Sequence, residues 1–140
     1  MKSVLIICTG NSCRSQMAHG LLSYLTNDIL IYSAGTNPEP VNKYAIQVML
    51  EVGIDISKYS SNYLDEYADF DIDFVLTVCD NAKEKCPLFL SVSSVIHKSF
   101  SDPVNAAGSY SEIISQYCRV RDDLEDYIKG TFLDIISSNK

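Results

Sequence analysis

Val4-Leu5-Ile6-Ile7-Cys8-Thr9-Gly10-Asn11-Ser12-Cys13-Arg14-Ser15 passes from an apolar run into small, polar and reactive residues. The run is short and continuous, which suits a strand buried on both faces. A helix opens behind it, because Met17, Leu21, Leu22 and Leu25 recur at helical spacing over residues 14–25. The stretch therefore reads strand, loop, helix, and the loop holds a thiol, a glycine and a guanidinium. Backbone N–H groups curled ahead of a helix N-terminus bind negative charge, and the planar guanidinium of Arg14 can take two oxygens of one oxyanion. The same field is expected to lower the Cys8 thiol pKa to roughly 3.5–7.5, so that it reacts as thiolate at neutral pH. A bare strand-to-helix turn needs the glycine but not Cys, Arg and Ser at these offsets. The residues favour a site for attack on a tetrahedral oxyanion, with Cys8 as nucleophile and Thr9, Gly10, Asn11, Ser12, Cys13, Arg14 and Ser15 around the substrate.

Outward from this stretch, a second strand is expected over residues 29–33, stopped by Ala34-Gly35, followed by the loop Asn37-Pro38-Glu39-Pro40. Residues 41–52 repeat the helical pattern until Gly53, and a shorter helix fits 63–70. Residues 73–78 form a third strand, 80–85 a short helical or irregular piece, and 91–97 a fourth strand. After Asp102-Pro103 and Gly108, residues Ile113, Tyr117, Val120, Leu124 and Ile128 stand in register on one long helix over 109–128. Strands alternating with helices predict an α/β fold: a four-stranded parallel sheet with helices on both faces. Ligands of such sheets sit at the C-terminal ends of the strands, where Cys8, Cys79 and the loop after Phe100 all fall.

The chain of 140 residues, 46% hydrophobic, fits one domain over residues 1–140. Its 11 Lys and Arg against 18 Asp and Glu give a net charge of -7 with no basic stripe, which argues against nucleic acid as a partner. An anionic substrate must be captured by a local site, not by the global field. Met1-Lys2-Ser3 and the short run behind it lack a cleavage signal, and no segment is long enough to span a membrane. Five cysteines, an odd number, do not make a secreted disulfide framework, so a cytoplasmic protein with working thiols is expected.

Cys13 either pairs with Cys8 under oxidation or packs beneath the loop. Cys79 and Cys86, if joined by a helix, lie on nearly the same face but roughly 10 Å apart along its axis, at 1.5 Å per residue. A disulfide needs Cα atoms within about 4.4–6.8 Å, so bonding them requires the intervening turn to unwind. The alternative is two small buried residues. Cys118 sits beside the apolar stripe of the last helix and reads as packing. Asp102-Pro103 is either an ordinary strand-end turn or, beside an oxyanion site, the general acid that protonates a leaving oxygen. His19 and His97 lack a second ligand at metal spacing, so neither a metal nor another cofactor is expected.

These residues, with Ser33-Ala34-Gly35, Val52-Gly53-Ile54-Asp55, Cys86-Pro87 and Arg119-Val120-Arg121-Asp122, resemble the thioredoxin-coupled arsenate reductases built on the low-molecular-weight tyrosine phosphatase fold, with its flavodoxin-like topology. The resemblance runs to about Lys129 and leaves residues 130–140 without a role. The loop is specific only to the superfamily; the later cysteine pair selects reductase over phosphatase. Gln16 points the same way, standing where phosphatases usually carry proline, as does the stretch after Pro103, which lacks their ring-clasping tyrosines. The resemblance implies that arsenate, or phosphate or sulfate in its place, binds the loop N–H groups and Arg14. Cys8 attacks arsenic, Asp102 protonates the departing oxygen, Cys79 attacks Cys8 as arsenite leaves, and Cys86 takes over a surface disulfide that thioredoxin reduces. It implies that Ser15 bonds the thiolate, that Asn11 and Ser33 brace the loop, and that the chain is a monomer. Some of these reductases carry a potassium site with two carboxylates, which His19 and Asn62 replace here.

Two rivals remain on sequence grounds. A phosphatase would use Cys8, Arg14 and Asp102 through a cysteinyl-phosphate and leave Cys79 and Cys86 without a task. An anion-binding redox switch would use the thiols without turnover.

Overall fold

A computed structural model describes residues 1–79 and 91–138. The apolar run at the N-terminus is strand β1, Lys2–Cys8, buried without a break from Ser3 to Cys8. It is flanked on both edges: β2, Ile29–Gly35, pairs with it in parallel from one side and β3, Asp71–Thr77, from the other, and β4, Ser91–His97, closes the order β2-β1-β3-β4. Register places Cys8 opposite Gly35 and Ile7 opposite both Ala34 and Thr77. The strand ends that should carry ligands therefore converge on Cys8.

Helix α1, Arg14–Leu25, occupies the expected residues and is buried over most of its length. Gly20 lets the segment behind α2 lie directly on it: a Cβ there would stand 2.8 Å from Ile56 Cγ2. Helix α2 is shorter than the pattern suggested, Lys43–Leu50. Asn42 takes the N-cap, accepting the N–H groups of Tyr44 at 2.8 Å and Ala45 at 3.1 Å, which leaves Val41 outside. The helix expected over 63–70 is only a 3-10 turn, Leu64–Tyr67. Its Tyr67 packs tilted, and Phe70 edgewise, on Tyr32 of β2. Ser33, one residue on, points to the opposite face, where His19 of α1 meets it. Strand β3 starts at Asp71, two residues before the expected 73, because Asp73 Oδ2 accepts the Ser3 N–H at 2.8 Å and draws the polar end into the sheet.

Helix α3, Tyr110–Tyr127, begins with a reciprocal cap between Ser109 and Glu112. It passes through a π-helical turn, Ile128–Phe132, into α4, Leu133–Ser138. Phe132 is fully buried and Ile136 nearly so, and Lys2 Nζ donates to the Ile136 carbonyl. Residues 130–138 are thus anchored to the core through Phe132 and Ile136 and are not an appendage. The expected piece at 80–85, with Cys86, lies outside the described residues. Among the described residues, no helix is long and apolar enough to cross a membrane.

Candidate active site

The loop between β1 and α1 is held from outside by its carbonyls. Thr9, Gly10 and Ser12 accept the backbone N–H groups of Asn37, Glu39 and Asn42, each at 2.8 Å. The Asn11 carbonyl accepts Gln16 Nε2 at 2.9 Å and Ser61 Oγ at 2.8 Å. A loop whose carbonyls are drawn outward presents its N–H groups inward, and the helix behind it adds its positive end. The left-handed residue is Asn11, φ 47°, and not Gly10. Asn11 holds that conformation through its side chain: Nδ2 donates to Ser15 Oγ at 2.8 Å, and Oδ1 accepts the Asn62 N–H at 2.8 Å. Gly10 serves by lacking a side chain at the rim, where a Cβ would come 3.3 Å from Ser12 Oγ and 3.4 Å from Glu39 Oε2. Gly35 does the same beneath the loop; a Cβ there would sit 2.5 Å from the Thr9 carbonyl oxygen.

Inside this curl lies a cavity of about 130 Å³ lined by Cys8, Cys13, Arg14, Glu39, Asp102 and loop backbone. Arg14 reaches across it, donating from Nη1 to the Phe100 carbonyl at 3.0 Å, with Nη2 3.3 Å from Asp102 Oδ2. Its Nε is buried without an acceptor among the described residues. Arg14 lines the cavity, and its planar guanidinium is a donor group suited to an oxyanion. Asp102 is held in turn by the Val104 N–H at 3.0 Å and remains 43% exposed at the pocket mouth.

The electrostatics of Cys8 differ from the sequence expectation. Its thiol is raised far above its ordinary pKa, first by a hydrogen bond with the Cys79 thiol and then by burial, against the lowering pull of Arg14 and the Ser15 N–H. The guanidinium and the helix end are present, as read from the loop, but a second thiol in contact and the exclusion of water outweigh them. The bond from Ser15 to sulfur is made by its backbone N–H; its hydroxyl accepts from Asn11 instead. Cys79 is buried at the end of β3, with Thr9 Oγ1 3.3 Å from its sulfur. Cys13 is packed under the helix start, its pKa pushed up to about 12 by burial. Cys118 lies on α3, 3.6 Å from Glu51 Oε1, outside the pocket.

Ser33 braces the neighbouring layer and not Asn11 directly: its hydroxyl lies 2.9 Å from His19 Nδ1 and its carbonyl accepts Asn62 Nδ2 at 3.2 Å. His19 packs against the Tyr59 ring at a tilt of 44°, and burial lowers its pKa to about 4. His97 pairs with Thr77 and Ser99 at the end of β4. No group of three His, Cys, Asp or Glu among the described residues could hold a metal. Arg121 ties α3 to the end of α2 through the Val48 carbonyl at 2.8 Å and Glu51 at 3.3 Å.

The sequence matches the low molecular weight phosphotyrosine protein phosphatase family over residues 3–138. The chain belongs to that family. Within it, the chain is 40% identical over 129 residues to an arsenate reductase of Halalkalibacterium halodurans, covering 91% of this chain and 93% of the relative. An arsenate reductase of Bacillus subtilis gives the same identity over the same shares. A solved arsenate reductase in a phosphate-binding state superposes with a TM-score of 0.81 at 30% identity, covering 96% of this chain and 99% of the other. The family match reaches into α4, in keeping with the packing of Phe132.

Loop residues apart, the phosphatase-family site depends on Asn37, Glu39, Asn42 and Ser61, which the sequence reading did not place there, and on Asn62, which it placed only at the potassium site that some of the reductases carry. Asn42 carries the one local signal, a capping residue ahead of an apolar helix. The others act through backbone groups or contacts distant in sequence.

Proposed function

We propose that Cys8, Cys79 and Cys86 form the relay by which this arsenate reductase of the low molecular weight phosphatase family converts arsenate to arsenite. Arsenate lies in the loop, its oxygens on the backbone N–H groups and on Arg14. Cys8 sulfur forms a bond to arsenic, and one arsenic–oxygen bond breaks. The proton that Cys8 gives up leaves with that oxygen as water, and Asp102 at the pocket mouth carries it. Cys79 sulfur then bonds to Cys8 sulfur. The electron pair of the sulfur–arsenic bond stays on arsenic, which departs as arsenite, and two thiols have become one disulfide. Attack by Cys86 on Cys79 frees Cys8, and a dithiol protein of the thioredoxin class reduces the Cys79–Cys86 bond.

The observation that carries this reading is the hydrogen bond between the Cys79 thiol and Cys8, which itself lines the cavity with Arg14 and Asp102. Hydrolysis of a phosphate ester has no use for a second thiol against the nucleophile, whereas reduction requires one. The role of Cys86 rests on its place in the sequence and on the reductase relatives. The test is arsenate-dependent NADPH consumption with thioredoxin and thioredoxin reductase, on wild type and Cys86→Ser. Wild type turns over continuously; Cys86→Ser releases one arsenite per chain and stalls with a Cys8–Cys79 disulfide, seen by mass spectrometry of unreduced peptides. Multiple turnovers by Cys86→Ser would refute the relay, and phosphate-ester hydrolysis without arsenite formation in wild type would return the phosphatase reading.

A further inference from the structure

We propose that Glu39 sets the charge the pocket accepts, its rim carboxylate favouring singly over doubly charged tetrahedral oxyanions. This deepens the function proposed above and rests on the pocket being the oxyanion site. Among the described residues, the charged side chains lining the cavity are one cation, Arg14, and two carboxylates, Glu39 and Asp102. Asp102 is already on Arg14 at 3.3 Å, so it screens the guanidinium but is itself compensated. Among the described residues, Glu39 has no such cation beside it in the cavity wall. Attraction for an anion must then come chiefly from the loop N–H groups and the helix end, whose strength is fixed. Repulsion from Glu39 grows in proportion to the charge of whatever enters.

Glu39 is held at the rim by its backbone. Its N–H bonds the Gly10 carbonyl at 2.8 Å, its own carbonyl accepts Ser61 Oγ, and Pro38 and Pro40 stand on either side. Proline restricts the residue before it to extended conformations, so the Glu39 backbone cannot swing the side chain away by turning helical. The carboxylate lies over Gly10, 3.4 Å from where a Cβ would stand. Of the two forms in which arsenate exists near neutral pH, the singly charged one meets the smaller repulsion. A phosphate group on an acidic peptide meets the larger.

Sulfate and perchlorate are tetrahedral oxyanions carrying two charges and one, and neither is reduced by thiols. Their dissociation constants are measured by calorimetry at one pH and low ionic strength for wild type, Glu39→Gln and Glu39→Lys. Coulombic repulsion is linear in ligand charge, so on a logarithmic scale sulfate should gain twice what perchlorate gains: roughly tenfold against about threefold for Glu39→Gln, and further in the same ratio for Glu39→Lys. Thermal unfolding of Glu39→Gln should match wild type. An equal factor for both anions would mean that Glu39 acts by shape and would overturn the proposal, as would no change for either. Because the probes are not substrates, the charge slope stands or falls independently of the relay. Conversely, a flat slope with intact arsenate turnover would remove only the role of Glu39.

Discussion

Gly35→Ala should damage the site and the fold together, although residue 35 is neither in the anion loop nor in contact with substrate. An alanine Cβ would stand 2.5 Å from the Thr9 carbonyl oxygen, 2.9 Å from the Asn11 nitrogen and 3.0 Å from the Gly10 carbonyl carbon. All three are backbone atoms, so no flexible side chain can move aside. Relief from 2.5 Å to an ordinary contact of 3.4 Å requires the loop to lift by about 0.9 Å. That strains its bonds to Asn37 and Glu39 and the register of Cys8 opposite Gly35. Overpacking of this kind costs about 1–3 kcal/mol of stability. The kinetic effect should be larger, because a displacement of order 1 Å in a positioned site lowers turnover about 100-fold. The control is Gly130→Ala, where nothing stands within 4 Å of the new methyl. That change sits in the helical C-terminal turn and should be neutral or stabilising by up to about 1 kcal/mol. Urea denaturation gives the stabilities, and arsenate kcat/KM with a thioredoxin system gives the activities. A Gly35→Ala protein with wild-type kcat/KM would refute the argument that this glycine seats the loop.

Removing the Cys79 thiol as Cys79→Ala takes away the largest influence raising the Cys8 pKa and leaves Arg14 and the Ser15 N–H in place, so that pKa must fall. Iodoacetamide labelling of Cys8, followed by peptide mass spectrometry across pH, should show its midpoint move down; an unmoved midpoint would contradict the thiol contact. Phe132→Ala should cost about 3–5 kcal/mol in urea denaturation, because the ring is fully buried; a loss under 1 kcal/mol would mean that α4 is not core. His19 has its folded pKa lowered to about 4 by burial, below the unfolded value near 6.5, so the stability it contributes is fully present above about pH 6.5. It is lost as pH falls toward about 4, a change on the order of 3 kcal/mol, and His19→Gln should remove that slope from stability measured against pH.

What the sequence disclosed and what it withheld divide along the range of the forces involved. Helix α1 and strand β4 lie at the expected residues, the helix because its apolar spacing reads directly from the sequence. Cys8, Arg14 and Asp102 converge because strand order alone sends the ends of β1 and its neighbours to one edge. Gly35 was read as a strand terminator, yet it closes the strand and makes room for Thr9, a contact no local pattern encodes. The left-handed position fell to Asn11 instead of Gly10 because Ser15 and Asn62 hold its side chain, and the bonds that do so span 4 and 51 residues. Residues 130–138 had no amphipathic run long enough to declare themselves, so their burial became visible only against the N-terminus of the chain.

The Cys8 thiol shows the same limit in energetic form. Its activating groups are sequence neighbours and were legible; the opposing terms, a thiol from β3 and the burial of the whole strand edge, are tertiary. A loop written to stabilise a thiolate is thus assembled around a protonated one, and the group that raises its pKa is the thiol proposed to attack it next. The hydrogen bond brings the two sulfurs close before any bond forms, which is the arrangement a disulfide-forming step needs and a hydrolase does not.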